Sequence, residues 1–393
     1  MNVPLDGLRV LDFTHLLPGQ ICAGILSDLG AEILHVDAPH KKSLAHHLPP
    51  IVEGESLYFW VLHKRKSSLV VDLKAEDGKN VVRRLAGDSD IILENFRPGV
   101  MSRLKLGYEA VKQINERVIY CSISGYGQDS PQRHKAAHDL NLVAESGLLN
   151  LNRRKGERPV LPSIPISDYM SGMLAVISIL SALYQRDHSG KGQYLDISML
   201  DSALSSLNIL TSMSIYTEKE PEEGGFAYPR ELPTYNVYEC KDGRYLAVAS
   251  LEPDFYREFL SIIERLDILD KGLDDRTLTE ELASTIARRT LQQWRDLFAG
   301  SNCCVSPVNT ISEALASFPL DARGMLHRLE HPTLGSVPQV TFPVSPALRD
   351  QKRKHFSVEE SDRSFSRLIE SGFSENEIRS MKESGIISLY MND

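Results

Sequence analysis

Two short stretches carry side chains suited to moving a proton. Ala137-His138-Asp139-Leu140-Asn141 sets a histidine beside a carboxylate, and Ser167-Asp168-Tyr169 places a second carboxylate at the start of a long apolar run. Histidine has the one unperturbed pKa close to neutrality, and a carboxyl group sunk in a cleft has its own raised by desolvation. Such a pair can take a proton from one face of a carbon and return one to the other. A carboxylate at position 168 can also act alone, as a nucleophile. The two groups stand 30 residues apart (168 − 138), so a fold must join them before the pair can work. Taken singly, each residue has a plainer role: His138 as a surface or helix-start histidine, Asp168 as the cap of the helix that follows.

A phosphate-bearing ligand would need a local basic patch, because the 393-residue chain holds 44 basic against 53 acidic side chains, 44 − 53 = −9. That balance repels polyanions, and nucleic acid is not an expected partner. Three patches stand out: Lys64-Arg65-Lys66 in HKRKSS, Arg97 in NFRPGV followed by Arg103 and Lys105, and His40-Lys41-Lys42. Charge runs are more often solvated loops than ligand sites, and HKRKSS alone reads that way. The five cysteines, Cys22, Cys121, Cys240, Cys303 and Cys304, are scattered without CxxC spacing or a zinc-type histidine cluster. Reduced thiols in the cytoplasm fit that pattern, and no metal is expected. Cys303 and Cys304 have no base beside them in sequence and read as structural. The start of the chain lacks a basic segment followed by a long apolar run, and no stretch approaches ~18 uninterrupted apolar residues. Neither a signal peptide nor a membrane span is expected.

The elements that must position these groups alternate along the chain. Leu8 to Phe13 reads as a strand, ICAGILSDLG as a helix stopped by Gly30, Glu32 to Val36 and Ser68 to Leu73 as strands. The pattern repeats through Lys79 to Ala86, Ile91 to Glu94 and Val118 to Ser122. Such alternation predicts an α/β fold with a parallel sheet covered by helices. Ligands then sit beyond the carboxyl ends of the strands, in the loops after Phe13, Val36, Glu94 and Ser122. Ser171 to Gln185 is apolar almost all round and predicts a buried helix. Residues 38–54 read as a loop, and residues 361–387 as helical. From about Gly224 to Val308 the pattern restarts around KDGRYLAVAS, where Asp242-Gly243 signals a hairpin, and predicts a second, smaller domain. At 393 residues more than one domain is expected on length alone.

The strings LDGLRVLDF, SDLGAEILHVDAP, NFRPGV, LGY, SGYGQDSP, SGKGQYLDISMLD and CVSPV, in that order and over most of the chain, resemble the family of α-methylacyl-CoA racemases and family III CoA-transferases. The resemblance implies a Rossmann-like large domain built from both chain ends, 1–220 and 328–393, and a small α/β middle domain, 221–327. It also implies an interlocked homodimer, an acyl-CoA thioester as substrate and no cofactor beyond the coenzyme A the substrate carries. AHDLN is similar to the string that holds the catalytic histidine of the racemases, which gives that role to His138. Asp168 inherits the partner carboxyl, and Glu252 in SLEPDF inherits the acid that orients the histidine. Arg97, Lys64, Arg65, Lys66, Lys42 and Arg103 become the expected contacts of the CoA phosphates. Leu142 and Ile164 stand where the racemases carry Tyr and Asn, and SDYMSGM lacks their glycine run after the Asp. Asp168 also matches the nucleophile of the transferases, so racemization of 2-methyl-branched acyl-CoA is the first expectation and CoA transfer the second.

Overall fold

The computed structural model describes residues 3–39, 44–63, 65–153, 156–221, 232–318, 320–331, 334–349 and 358–389. They form two compact units, the first from Met1–Leu149, Leu161–Asn208 and Leu320–Asp393, the second from Asn150–Val160 and Ile209–Pro319.

In the first unit six parallel strands form one sheet: β1 (Arg9–Asp12), β2 (Glu32–Asp37), β3 (Lys66–Val71), β4 (Ile91–Glu94), β5 (Ile119–Ser124) and β6 (Gln193–Ser198). Their spatial order is β3-β2-β1-β4-β5-β6, with Ile387–Ser388 added antiparallel outside β3. The chain runs outward from β1 through β2 and β3, then restarts on the other side of β1 with β4. The order therefore reverses between β1 and β4, which opens a crevice beyond their carboxyl ends. Both faces are buried, as expected of a parallel sheet. Val10, Ile33, Leu93 and Cys121 face one core with Ile21, Leu26, Ala175 and Ile179. Leu11, Leu34, Leu69 and Tyr120 face the other, under the helix Glu76–Gly87 and residues Leu368, Phe373 and Ile378 near the chain end. Each fully buried aliphatic side chain of this kind contributes ~1.5–3 kcal/mol. The expected strands appear with ends shifted by a residue or two.

The second unit holds an antiparallel sheet of Tyr235–Glu239, Tyr245–Ala249 and Val305–Pro307. The expected hairpin turns at Asp242-Gly243, where Gly243 has φ 71°, a left-handed conformation that costs glycine little. Trp294 is fully buried and donates its indole N–H to the carbonyl of Ile286 at 2.8 Å. Within residues 38–54, expected as loop, stand a 3-10 turn at Leu44–His47 and the short strand Ile51–Val52, which pairs with Glu55–Ser56.

Three helices frame the loops of interest: α1 (Leu17–Asp28), α2 (Asp139–Glu145) and α3 (Ile166–Ser189). The expected burial of α3 on all sides is corrected. Ser171, Ala175, Ile179 and Ala182 are buried, whereas Met173, Ile177, Leu180 and Tyr184, spaced by four, three and four residues, form an exposed apolar stripe. The sheet and the neighbouring helices cover only one side of α3, which is why the stripe stays open in the single chain. By length and composition alone α3 would also cross a membrane. It crosses α1 at Gly172, where an added Cβ would sit 2.7 Å from the carbonyl oxygen of Pro18 and 2.9 Å from Cβ of Ile21. Alanine at 172 would gain up to ~1 kcal/mol of helix propensity. Overpacking against a backbone atom costs ~1–3 kcal/mol and decides the sign. We therefore expect Gly172→Ala to lower the urea midpoint at unchanged m-value, and an unchanged or higher midpoint would show that the two helices separate without cost.

Candidate active site

The carboxylate of Asp139 joins the two sequence groups. Its Oδ1 accepts hydrogen bonds from the Ser167 N–H at 2.7 Å, the Ser167 hydroxyl at 2.8 Å and the Asp168 N–H at 3.3 Å. These donors belong to the first turn of α3, whose leading N–H groups have no partner within the helix. One side chain thus caps α3 and pins the start of α2 to it. His138 precedes Asp139 at the N-cap of α2, its own N–H donating to Asn141 Oδ1 at 3.0 Å. The His138 side chain is exposed and Asp168 is half-buried. Both lie in the first unit, so the fold brings His138 and Asp168 to adjoining turns.

Electrostatics single out Asp168. Burial, and next the charge of Asp139, push its carboxyl from 3.8 to about 7. The N-terminus of α3 pulls the other way, but a helix dipole supplies only ~0.3–1 kcal/mol to a nearby carboxylate. Tyr58, on the helix Leu57–Leu62, has its phenol raised by burial and then by the charges of Asp168 and Tyr169, which makes it a neighbour of the site. Sequence reasoning missed it, since no motif or charge within SLYFW marks the tyrosine. Leu142 is fully buried against Gly125 and Ala137, and Ile164 is exposed. Glu252 stands in the second unit, exposed at the N-cap of the helix Pro253–Ile262, with no hydrogen bond from its side chain to that helix.

The cations separate into two kinds. Arg97 and Lys105 line a cavity of about 400 Å³ at the carboxyl end of β4 and beside β5 and β6, together with Glu94, Tyr108, Gln128 and Tyr194. Glu94 accepts the Phe96 N–H at 2.8 Å, and burial raises its carboxyl to about 7. Arg103 is exposed on the next helical turn, its guanidinium over Gly99. HKRKSS, expected at the CoA phosphates, is corrected in part. Arg65 is buried with its guanidinium 3.7 Å from Asp28. Lys66 is fully buried, donating to Gln20 Oε1 at 2.5 Å, with Asp12 Oδ2 at 3.7 Å. The cause is strand alternation. Lys66 begins β3 and points to the sheet face under α1, where a charge must be paired. Lys64 and Lys42 fall outside the described residues.

A row of buried polar groups continues from Lys66 along that face. Asp12 Oδ2 lies 3.2 Å from His35 Nδ1, and His35 Nε2 lies 3.4 Å from Asp37. Burial opposes the charge on each, yet the facing partners win. The pKa of Asp12 falls to about 2, first through its hydrogen bond with His35 and then through Lys66. That of His35 rises to about 9, first through Asp37 and then through Asp12. His63 donates or accepts at Ser68 Oγ, 2.7 Å away, and burial holds it well below the ordinary histidine value. The His15 N–H reaches across the crevice to Asn95 Oδ1 at 3.1 Å.

The cavity lined by Arg97 and Lys105 suits an anionic ligand, and the raised carboxyl of Asp168, on a turn adjoining that of His138, suits proton transfer. Comparison with known proteins agrees with that class. The family described as CoA-transferase family III matches residues 5–354, and the chain belongs to this family. Among its relatives, the α-methylacyl-CoA racemase of Homo sapiens is 32% identical over 98% of this chain and 97% of that protein. The succinyl-CoA:glutarate CoA-transferase of Mus musculus is 31% identical over 89% of this chain and 81% of that protein. The crystal structure of a CaiB/BaiF family protein from Brucella suis superposes with a TM-score of 0.81, at 26% identity, over 94% of this chain and all of that one.

Two outcomes follow from the charges. Asp168 keeps its proton in the folded chain up to about pH 7 but loses it near ~3.9 when unfolded. Its contribution to stability therefore falls as pH rises through that window. The melting temperature of Asp168→Asn should rise relative to the parent between about pH 4 and pH 7 and then level off; a constant difference would place the carboxyl at its ordinary value. Lys66→Met removes one of the two cations that face buried Asp12, leaving His35, and should cost up to ~3–5 kcal/mol. Arg97→Ala, at the surface, should stay within ~0.5 kcal/mol; equal urea midpoints for the two variants would contradict the division.

Proposed function

We propose that the chain racemizes 2-methyl-branched acyl-CoA thioesters through His138 and Asp168. The observation that carries this reading is the Asp139 link, which sets the two groups on adjoining turns and adds its charge to the burial that raises the carboxyl of Asp168 to about 7. A carboxyl that holds its proton near neutral pH is suited to giving one up, and a neutral imidazole is suited to taking one. In one direction His138 removes the α-proton, the electron pair passes to the thioester oxygen, and Asp168 delivers its proton to the opposite face. The enzyme is left with imidazolium and carboxylate, the forms that run the reverse reaction. Backbone N–H groups of the site stabilise the enolate oxygen in this scheme. Arg97, Arg103 and Lys105 are proposed to meet the CoA phosphates, Arg being suited to bidentate contact. The role of Glu252 as the acid that orients His138 rests on resemblance to the racemases. The near end-to-end alignment with the human racemase supports the proposal, which we extend to an interlocked homodimer.

The transferase relatives favour a second reading. There the Asp168 carboxylate attacks the thioester and expels CoA as thiolate, leaving a mixed anhydride. The thiolate then attacks the Asp168 carbonyl, releasing the donor acid and leaving an aspartyl-CoA thioester; the acceptor carboxylate opens it to a second mixed anhydride, and the expelled thiolate attacks the acceptor carbonyl, giving the new acyl-CoA and freeing Asp168. This route needs Asp168 ionised and has no use for His138 as a base.

One enantiomer of a 2-methylacyl-CoA incubated in deuterated buffer separates the two. Racemization predicts α-deuterium and loss of optical purity, each slowed ~10²–10⁴-fold by His138→Ala and by Asp168→Asn. Absence of deuterium, with CoA transfer to added carboxylates that survives His138→Ala and is lost in Asp168→Asn, would replace the first reading by the second.

A further inference from the structure

The acyl-CoA reading leaves a second cluster unused. His15, in the loop after β1, meets His35 and Asp37, which end β2 two residues apart on one sheet face. One ligand-type atom from each lies within 4.8 Å of the others. His15 Nδ1 is 3.3 Å from Asp37 Oδ1, and His35 Nε2 is 3.4 Å from Asp37 Oδ2. Donors placed ~2.0–2.2 Å from a tetrahedral zinc stand ~3.3–3.5 Å apart, which the two histidine–carboxylate separations match, while the three donors together lie within 4.8 Å. The hydrogen-bond geometry, by contrast, is unmet. His15 Nδ1 and both carboxylate oxygens of Asp37 are buried with no hydrogen-bond partner among the described residues, and Asp37 is 5% exposed. Asp37 thus faces two imidazoles at ion-pair distance without hydrogen-bond geometry, and a metal ion bound by those imidazoles would take the place of the proton that His35 otherwise carries.

The surroundings are those of a metal ligand's outer support. The second nitrogen of His35 faces the Asp12 carboxylate at 3.2 Å, the carboxylate–histidine arrangement that fixes a ligating imidazole. Asp12 is itself held by the Thr14 N–H at 2.9 Å and hydroxyl at 2.6 Å. The His15 backbone is held by Asn95. The His15 side chain is 27% exposed, which leaves solvent access for a fourth ligand. Two imidazoles and one carboxylate disfavour calcium and magnesium, which take oxygen donors, and suit zinc and its first-row neighbours.

We propose that His15, His35 and Asp37 bind one divalent transition-metal ion of the zinc class, with water as fourth ligand, tying the β1 loop to the end of β2 at the crevice. No metal is expected from the sequence, because the ligands are one loop histidine and an H-x-D pair 20 residues on, with no short-range zinc spacing. The site is separate from His138 and Asp168, and its test does not bear on α-proton exchange.

Chelator-treated full-length protein, titrated with Zn²⁺ by calorimetry and with Co²⁺ by visible absorption, should take up one equivalent, show the intense d–d bands of a four-coordinate ion, and melt at higher temperature with metal than without. His15→Ala and Asp37→Asn should weaken binding at least about tenfold. His35→Lys, which keeps a cation between Asp12 and Asp37 but removes the ligand, should fold and lose the Co²⁺ bands. His15 lies at the surface, so its variant is decisive. Absence of stoichiometric uptake by the parent, or affinity unchanged in a folded His15→Ala, overturns the proposal.

Discussion

Charges that sit beneath a helix must be paired, and the amino-terminal half of the sheet is built around that constraint. Asp12, His35, Asp37 and Lys66 all point to the face of β1, β2 and β3 that α1 covers. An isolated ion there would cost several kcal/mol, so each carboxylate has to find a cation of matching reach. The pairing depends on register. Asp12 is level with His35, His35 with Ser68, and Ile33 with Lys66; a slip of one residue would turn the whole polar row to the other face and into the second core. The register that satisfies the charges also sets Leu11, Leu34 and Leu69 into that core.

The same constraint explains how the chain divides its cations. Arg65 and Lys66 serve Asp28, Asp12 and Gln20 inside the protein. Arg97, Arg103 and Lys105 stand outside, past the ends of strands whose own side chains are buried, and are open to a ligand. Elsewhere in the first unit Asp139 accepts from the first turn of α3. Burial, and next the nearness of Asp139, make a negative charge at Asp168 unfavourable, so one carboxylate fixes the geometry and helps to tune the acid.

Much of the fold is legible in the sequence because hydrophobic periodicity is local. The parallel strands, the Gly30 stop of α1 and the Asp-Gly hairpin each follow from a few neighbouring residues. The site is legible in part. His138 and Asp168 stand out by chemistry and by resemblance, while nothing in SLYFW marks Tyr58 as their neighbour. HKRKSS reads as a solvated charge run because three cations in a row carry no sign of which will be buried. The period-two pattern of KSSLVV, with Lys66, Ser68 and Val70 on one face, is a weak signal that only the covering helix makes decisive.

What the sequence determined by itself is the order of strands and helices, the family, and the residue types able to move a proton, since these depend on side-chain chemistry and short-range pattern. The tertiary structure decided the rest: that Asp139 reaches 28 residues along the chain to Ser167, that Lys66 is buried, that α3 keeps one apolar face open, and that His15 meets His35 and Asp37. Each of these is a matter of what covers a given side chain, and burial is a property of the assembled layers that no local stretch of sequence contains.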